Sequence, residues 1–168
     1  LCSLSFTEDE LDYLSELSYI KPDFIEFLRI FKLNTKFIQL QADGENISLR
    51  FDGPLLHVSL FEIYALSIIS ELHTILNCDG FDLSLARDKL ASKIDLLKNQ
   101  QKLNDFNFMD FGTRRRASKA WQQEVLITLK NQLPEFFTGT SNIHFARTLN
   151  LPALGTMAHE WFQTWQAV

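Results

Sequence analysis

The apolar positions change period along this chain, and each change marks an element. Thr7-x-x-Glu10 reads as a capping box, in which each side chain accepts from the other residue's backbone amide. Leu11, Leu14 and Leu17 then fall on one helical stripe. Pro22 suits the first turn of a second helix, followed by Phe24, Phe27, Leu28 and Phe31 at helical spacing. From about Lys36 the pattern shortens. Phe37–Gln41 and Ile47–Phe51, joined by Ala42-Asp43-Gly44-Glu45-Asn46, predict a hairpin, and Leu55–Leu60 a third strand of the same small sheet. A buried helix is expected over Glu62–Leu76, with a break near Asn77–Gly80. An amphipathic helix should follow from about Leu83 to Gln100, with Ala86, Leu90, Ile94 and Leu97 inward and Arg87, Lys89, Lys93 and Lys98 as solvated charges.

The last third repeats one grammar. Phe106–Phe111 meets Gly112 and leads into a helix over about Ser118–Gln132. Phe136–Phe137 meets Gly139 before a short helix over about Ile143–Leu149, and Leu151–Leu154 meets Gly155 before a helix starting near Ala158. Strand, glycine turn and helix in succession predict parallel βα units. The fold class expected is therefore α/β: a mixed α/β N-terminal domain over residues 1–104, then, over 105–168, the first βα units of an incomplete TIM-like α/β barrel.

Composition narrows the function classes. The chain has 168 residues, 46% of them hydrophobic and 15 of them Phe, which is enough to bury a core. Its net charge of −5 argues against a general nucleic-acid binder, which needs a broad basic surface. Two cysteines, Cys2 and Cys78, make no disulfide framework or metal pattern, so a reduced cytoplasmic setting is expected. The most apolar run, Ile63–Leu76, carries Ser67, Ser70, Glu71 and His73 and reads as too short and polar to span a bilayer. No basic segment with a small-residue cleavage site opens the chain. It begins at Leu1 rather than Met and stops at Val168 a few residues into a helical pattern, so an internal piece of a longer protein is expected.

In parallel βα units the carboxyl ends of the strands share one rim, where ligands bind. That rim would gather Asp110, Phe111, Thr113, Arg114, Thr140, Ser141, Asn142, Thr156 and His159. Exposed amides at helix starts favour anions, and an arginine offers a planar fork for carboxylate or phosphate. The chemistry implied is an anionic substrate, with an aromatic plane available in Phe111. Each element also has a plainer reading. Arg114–Arg116 could be a solvated basic patch, a localisation signal or, with Ser118, a kinase consensus. His159 taken alone could be a packed histidine, and Thr140 and Thr156 could be helix caps. Asp110-Phe111-Gly112 lacks the glycine-rich loop, strand lysine and catalytic loop that would make it a kinase motif.

Taken together and in order, Phe108-Met109-Asp110-Phe111-Gly112-Thr113-Arg114-Arg115-Arg116, Gly139-Thr140-Ser141-Asn142 and Gly155-Thr156-Met157-Ala158-His159-Glu160-Trp161-Phe162-Gln163 resemble the nicotinate phosphoribosyltransferase family. The resemblance extends upstream through Gly53-Pro54 and Glu62–Glu71. It implies a type II phosphoribosyltransferase fold, with active sites at a homodimer interface. The reaction implied joins nicotinate to phosphoribosyl pyrophosphate, yielding nicotinate mononucleotide and pyrophosphate in NAD salvage. ATP hydrolysis is coupled through a phosphohistidine, and Mg2+ is carried on the phosphates rather than in a protein cage.

Residue by residue, the resemblance matches His159 to the phosphorylated catalytic histidine, Phe111 to the ring that stacks on the pyridine, and Arg114 to an arginine near nicotinate and the phosphates. Ser141 stands where related nicotinamide enzymes carry an acidic residue. Serine can donate to a carboxylate that an aspartate would repel, so nicotinate is the expected substrate. Thr140 and Asp110 complete the expected substrate-binding set. Two other readings remain: a non-catalytic dimerisation or binding domain on the same fold, and a nicotinamide or quinolinate relative. The 168 residues alone are expected to be inactive, because the second ring-stacking aromatic and the ribose 5-phosphate site of the family match nothing in them.

Overall fold

Residues 3–77, 81–99, 106–156 and 159–166 are described by a computed structural model, and the side chains at 159–161 and 164 lie outside that description. The capping box forms: the Glu10 amide donates to Thr7 Oγ1 at 3.3 Å and the Thr7 amide to Glu10 Oε2 at 2.9 Å. It starts α1 (Glu8–Ser15), and Pro22 opens α2 (Pro22–Ile30). Leu11 and Leu14 of α1 bury against Ile25 and Leu28 of α2 in one small core. Arg29 ties the two helices by pairing with Glu8.

The expected hairpin is present as β1 (Ile38–Asp43) and β2 (Asn46–Phe51), antiparallel from Ile38↔Phe51 to Asp43↔Asn46. Gly44 takes φ +58 in the tight turn between them, a conformation that costs glycine little. The expected third strand does not exist. Leu55–Val58 is a one-turn helix, α3, immediately after Pro54. Proline presets φ for helix entry, and a six-residue apolar run has no period long enough to separate strand from helix. His57 of α3 sits among the rings of Phe27, Phe31 and Phe37 at centroid distances of 6.4, 5.2 and 5.3 Å.

Helix α4 (Phe61–Asn77) is where the sequence pattern places it, but apart from the buried Phe61 and Ala65 most of its apolar residues face outward. Ile63, Leu66, Ile68, Ile69, Leu72, Ile75 and Leu76 are exposed, while Ser67 is buried and Glu62, Ser70 and Glu71 face the loop after β3. Taken together with α3, the stretch Leu55–Asn77 is long and apolar enough to cross a membrane by length and composition alone, its most apolar 18 residues having a mean hydropathy of 1.5, where the sequence reading expected a run too short and polar. Such a helix equally suits the core of a soluble protein, and this one is stitched to its neighbours through its polar stripe.

Helix α5 (Leu83–Lys98) begins at Asp82, whose carboxylate accepts the Leu85 amide at 3.0 Å. Its inward residue Ile94 joins Leu126, Leu133, Phe137, Phe145 and Leu151 in a second core. Arg87 is more than a solvated charge, because it pairs with Glu124 of the next helix, with a contact of 2.9 Å from Nη2 to Oε2.

The βα grammar of the last third is observed. Strand β3 (Phe108–Asp110) leads to α6 (Lys119–Gln132), β4 (Phe137–Thr140) to α7 (Ile143–Thr148), and a third extended segment to α8 (His159–Gln166). β3 and β4 run parallel, and Ala153 of the third segment bridges Thr140, also in parallel. The N-terminal helices rest on these units: Ile143 packs against the α1–α2 core, Arg147 pairs with Asp9, and Tyr19 Oη donates to the Ala153 carbonyl at 3.2 Å. The cysteines, Cys2 and Cys78, lie outside the described residues.

Candidate functional site

The parallel register decides which residues meet. Phe108 pairs with Phe137, Met109 with Gly139 and Asp110 with Thr140, so β4 carries one extra residue, Thr138, between the first two pairs. The Thr138 hydroxyl donates to the Phe108 carbonyl at 3.0 Å and closes that bulge. Beyond it, Gly139 has φ +153, and a Cβ there would stand 2.4 Å from the Pro152 carbonyl oxygen. Only glycine lets the third segment approach closely enough for the Thr140 amide to donate to Pro152 at 3.1 Å. The same alignment puts Phe111 and Ser141 side by side just past the paired ends, with the Ser141 amide donating to the Asp110 carbonyl at 2.8 Å.

Beneath this rim lies a polar knot. Asp110 Oδ2 accepts from the Thr140 hydroxyl at 2.7 Å and from Gln122 Nε2 at 3.0 Å, and Oδ1 accepts the Gly112 amide at 2.9 Å. Thr113 Oγ1 accepts from Gln122 Nε2 at 3.0 Å and from Asn142 Nδ2 at 2.9 Å. Thr140 Oγ1 in turn accepts the Asn142 amide at 3.0 Å, and Asn142 Oδ1 caps α7 by accepting the Phe145 amide at 3.1 Å. Thr140 is 0% exposed and Gln122 5%, so these bonds form away from water, where an unmade one is costly. Asp110 and Thr140, both expected to bind substrate, have their polar side-chain atoms engaged within the protein. They hold the strand ends together.

Above the knot, the turn Thr113–Arg115 carries the arginine run, and helix α4 grips it. Arg114 pairs with Glu62, leaving further N–H donors of its guanidinium for another anion. Arg116 lies 3.4 Å from Glu71, and its carbonyl accepts the Ser70 hydroxyl at 3.0 Å. Glu71 Oε1 also accepts the first amide of α6, from Lys119, at 3.1 Å. The three arginines thus separate. Arg114 is half-exposed on the rim side, Arg115 is exposed, and Arg116 is largely buried against α4.

Phe111 is 45% exposed, so its ring presents a free surface. Ser141 is half-buried beside it, and Thr156 is exposed. His159 is the first residue of α8, and its side chain lies outside the described residues. The structure therefore brings Asp110, Phe111, Arg114, Thr140 and Ser141 to neighbouring positions on two strand ends. Gln122, Glu62 and Glu71 escaped the sequence reading. Gln122 could have been found, because it stands on the inward stripe of α6 with Leu126 and Leu129, where a polar side chain needs partners.

Parallel βα units with an aromatic face, a guanidinium and hydroxyls at the strand ends define an α/β protein with a polar and aromatic rim where ligands of such folds bind. Residues 1–70 match the model of the nicotinate phosphoribosyltransferase N-terminal domain, and residues 106–168 that of the nicotinate phosphoribosyltransferase family. The chain is 68% identical over its whole length to a nicotinate phosphoribosyltransferase of Psychromonas ingrahamii, covering 41% of that protein. It is 46% identical over 99% of its length to one of Herminiimonas arsenicoxydans, covering 43%. The crystal structure of nicotinate phosphoribosyltransferase from Vibrio cholerae superposes with a TM-score of 0.92 at 31% identity, over 99% of this chain and 41% of that one. The chain belongs to the nicotinate phosphoribosyltransferase family, and it spans about two fifths of the length of these relatives.

Proposed function

We propose that this chain forms part of an enzyme that transfers phosphoribose from phosphoribosyl pyrophosphate to nicotinate, with ATP hydrolysis coupled to the transfer. The observation that carries the reading is the juxtaposition of Phe111, Arg114 and Ser141 at the joined ends of β3 and β4. On this reading the pyridine ring stacks on the exposed face of Phe111. Its carboxylate takes donors from the Ser141 hydroxyl and from the part of Arg114 that Glu62 leaves free. The ring nitrogen then displaces pyrophosphate at the anomeric carbon of the ribose, so the C–N bond forms as the C–O bond to pyrophosphate breaks. The protein's part is alignment and neutralisation of the leaving charge.

His159, at the start of α8, is the proposed acceptor of the ATP phosphoryl group, since a neutral imidazole is a competent nucleophile. Water releases that phosphate later in the cycle. Magnesium would be carried on the phosphates of both donors, where it would offset their charge. The rim's chemistry suits this division: Thr156 and the remaining N–H groups of Arg114 are donors for phosphate oxygens, whereas the Asp110 carboxylate already accepts three hydrogen bonds. The family's soluble metabolic role makes the cytoplasm the proposed location, and a homodimer the proposed assembly.

The test is an assay on the protein carried at the full length of its relatives, with nicotinate or nicotinamide and with or without ATP. Nicotinate mononucleotide formation that ATP stimulates is expected. ATP-independent turnover of nicotinamide in place of nicotinate would overturn the reading.

A further inference from the structure

We propose that Gln122 is a positioning residue that sets Phe111, Arg114 and Ser141 relative to one another without touching the ligand; this rests on the function proposed above. Each of those three residues is the chain neighbour of a member of the buried knot. Phe111 follows Asp110, Arg114 follows Thr113, and Ser141 lies between Thr140 and Asn142. One amide closes the knot into a ring, joining Asp110 and Thr113, which Thr140 and Asn142 connect the other way round. Gln122 Nε2 donates at 3.0 Å both to Asp110 at the end of β3 and to Thr113 in the arginine turn, and Thr113 passes the link to Asn142 at 2.9 Å.

The amide's orientation follows from its partners. An ionised Asp110 only accepts, so Gln122 must present its NH2 there, and both N–H bonds are spent. Its Oε1 is buried with no hydrogen-bond partner among the described residues. The protein tolerates that unmet acceptor, which an apolar side chain at 122 would avoid. The compensating role is to fix the end of β3 and the arginine turn at one separation, across the segment that carries Phe111 and Arg114. Helix α6 is packed in the second core through Leu126, so it supplies a rigid base for the amide.

Two variants of the full-length protein test this. Gln122→Leu keeps the volume and removes both donors. Gln122→Glu keeps the shape and sets an oxygen against Asp110, where two carboxylates repel. Both should raise the KM for nicotinate about tenfold or more while leaving the KM for ATP within about twofold, as expected for lost alignment of one subsite. Adding Asp110→Asn to Gln122→Glu restores an amide–carboxylate pair with the roles reversed and should recover part of the nicotinate KM. Independently of activity, hydrogen exchange at the Gly112 and Asn142 amides should quicken in Gln122→Leu while α6 stays protected.

An unchanged nicotinate KM in folded single variants would overturn the proposal. So would a parallel rise of every KM together with a lower melting temperature, which would mark Gln122 as structural only. Wild-type protein that makes no product from nicotinate would refute the proposed function itself. The exchange measurement would still decide whether Gln122 braces the arginine turn against the end of β3.

Discussion

Replacing Thr140 by valine separates a structural hydroxyl from a ligand-binding one. Valine is nearly isosteric with threonine, so the perturbation is the loss of one hydroxyl at a site with 0% exposure. That hydroxyl donates to the Asp110 carboxylate at 2.7 Å and accepts the Asn142 amide at 3.0 Å. A hydrogen bond to a charged group contributes roughly 1.5–3 kcal/mol, and a buried amide left without an acceptor costs about 1–3 kcal/mol. Asp110 keeps its bonds from Gln122 and Gly112, and Asn142 is only half-buried, so both values should lie near their lower ends. The expected loss is about 3 kcal/mol, read as a lowered urea midpoint at unchanged slope in the full-length protein. Thr140→Ser retains both bonds and should lose only about 1 kcal/mol of packing. Nicotinate binding by whatever protein remains folded should fall less than stability does. A Thr140→Val protein within about 0.5 kcal/mol of wild type, with a raised nicotinate KM, would refute the reasoning by placing the hydroxyl toward the ligand.

Gly139→Ala should cost about 2 kcal/mol or more in a thermal melt, because φ +153 is strained for alanine and its Cβ would meet the Pro152 carbonyl. Ser141→Asp should raise the nicotinate KM by at least tenfold, through repulsion of the substrate carboxylate, with the melting temperature nearly unchanged; steady-state kinetics and a melt check both parts. Desolvation, together with Lys119 and Arg147, holds the His144 imidazole below its ordinary range against the pull of Glu10. The unfolded chain therefore binds a proton that the folded one resists, so stability falls as pH drops below about 6.5 toward the lower folded value. His144→Gln should flatten that limb slightly, since the ring is largely exposed; urea midpoints between pH 7.5 and 5.5 measure it.

Much of this fold is written in local pattern. The capping box at Thr7, Pro22 at the head of α2, the hairpin turn at Gly44 and the three glycine-punctuated βα units all depend on residues within one or two turns of each other. Such features act through backbone geometry and nearest neighbours, so the chain announces them. The strand-end residues were legible for the same reason, because parallel βα units put their loops on one rim. Short or two-sided segments were not legible. Leu55–Leu60 has no readable period, and Pro54 tips it into a helical turn that presents His57 to a ring cluster.

Helix α4 marks the sharper boundary. Composition alone makes it a core helix, yet beyond Phe61 and Ala65 it is polar residues that hold it to the protein, because Glu62, Ser70 and Glu71 meet the arginine turn some fifty positions later. A carboxylate's partner is set by three-dimensional proximity, and no one-dimensional pattern encodes it. The same holds for Asp110. Its neighbours in sequence mark it as a rim residue, but the register with β4 and the inward turn of Gln122 decide that its charge is spent inside the protein. Local pattern was enough to name the rim's residues. Which of them stay exposed, and which brace the others, followed from long-range pairing and the cost of leaving a buried polar group unbonded.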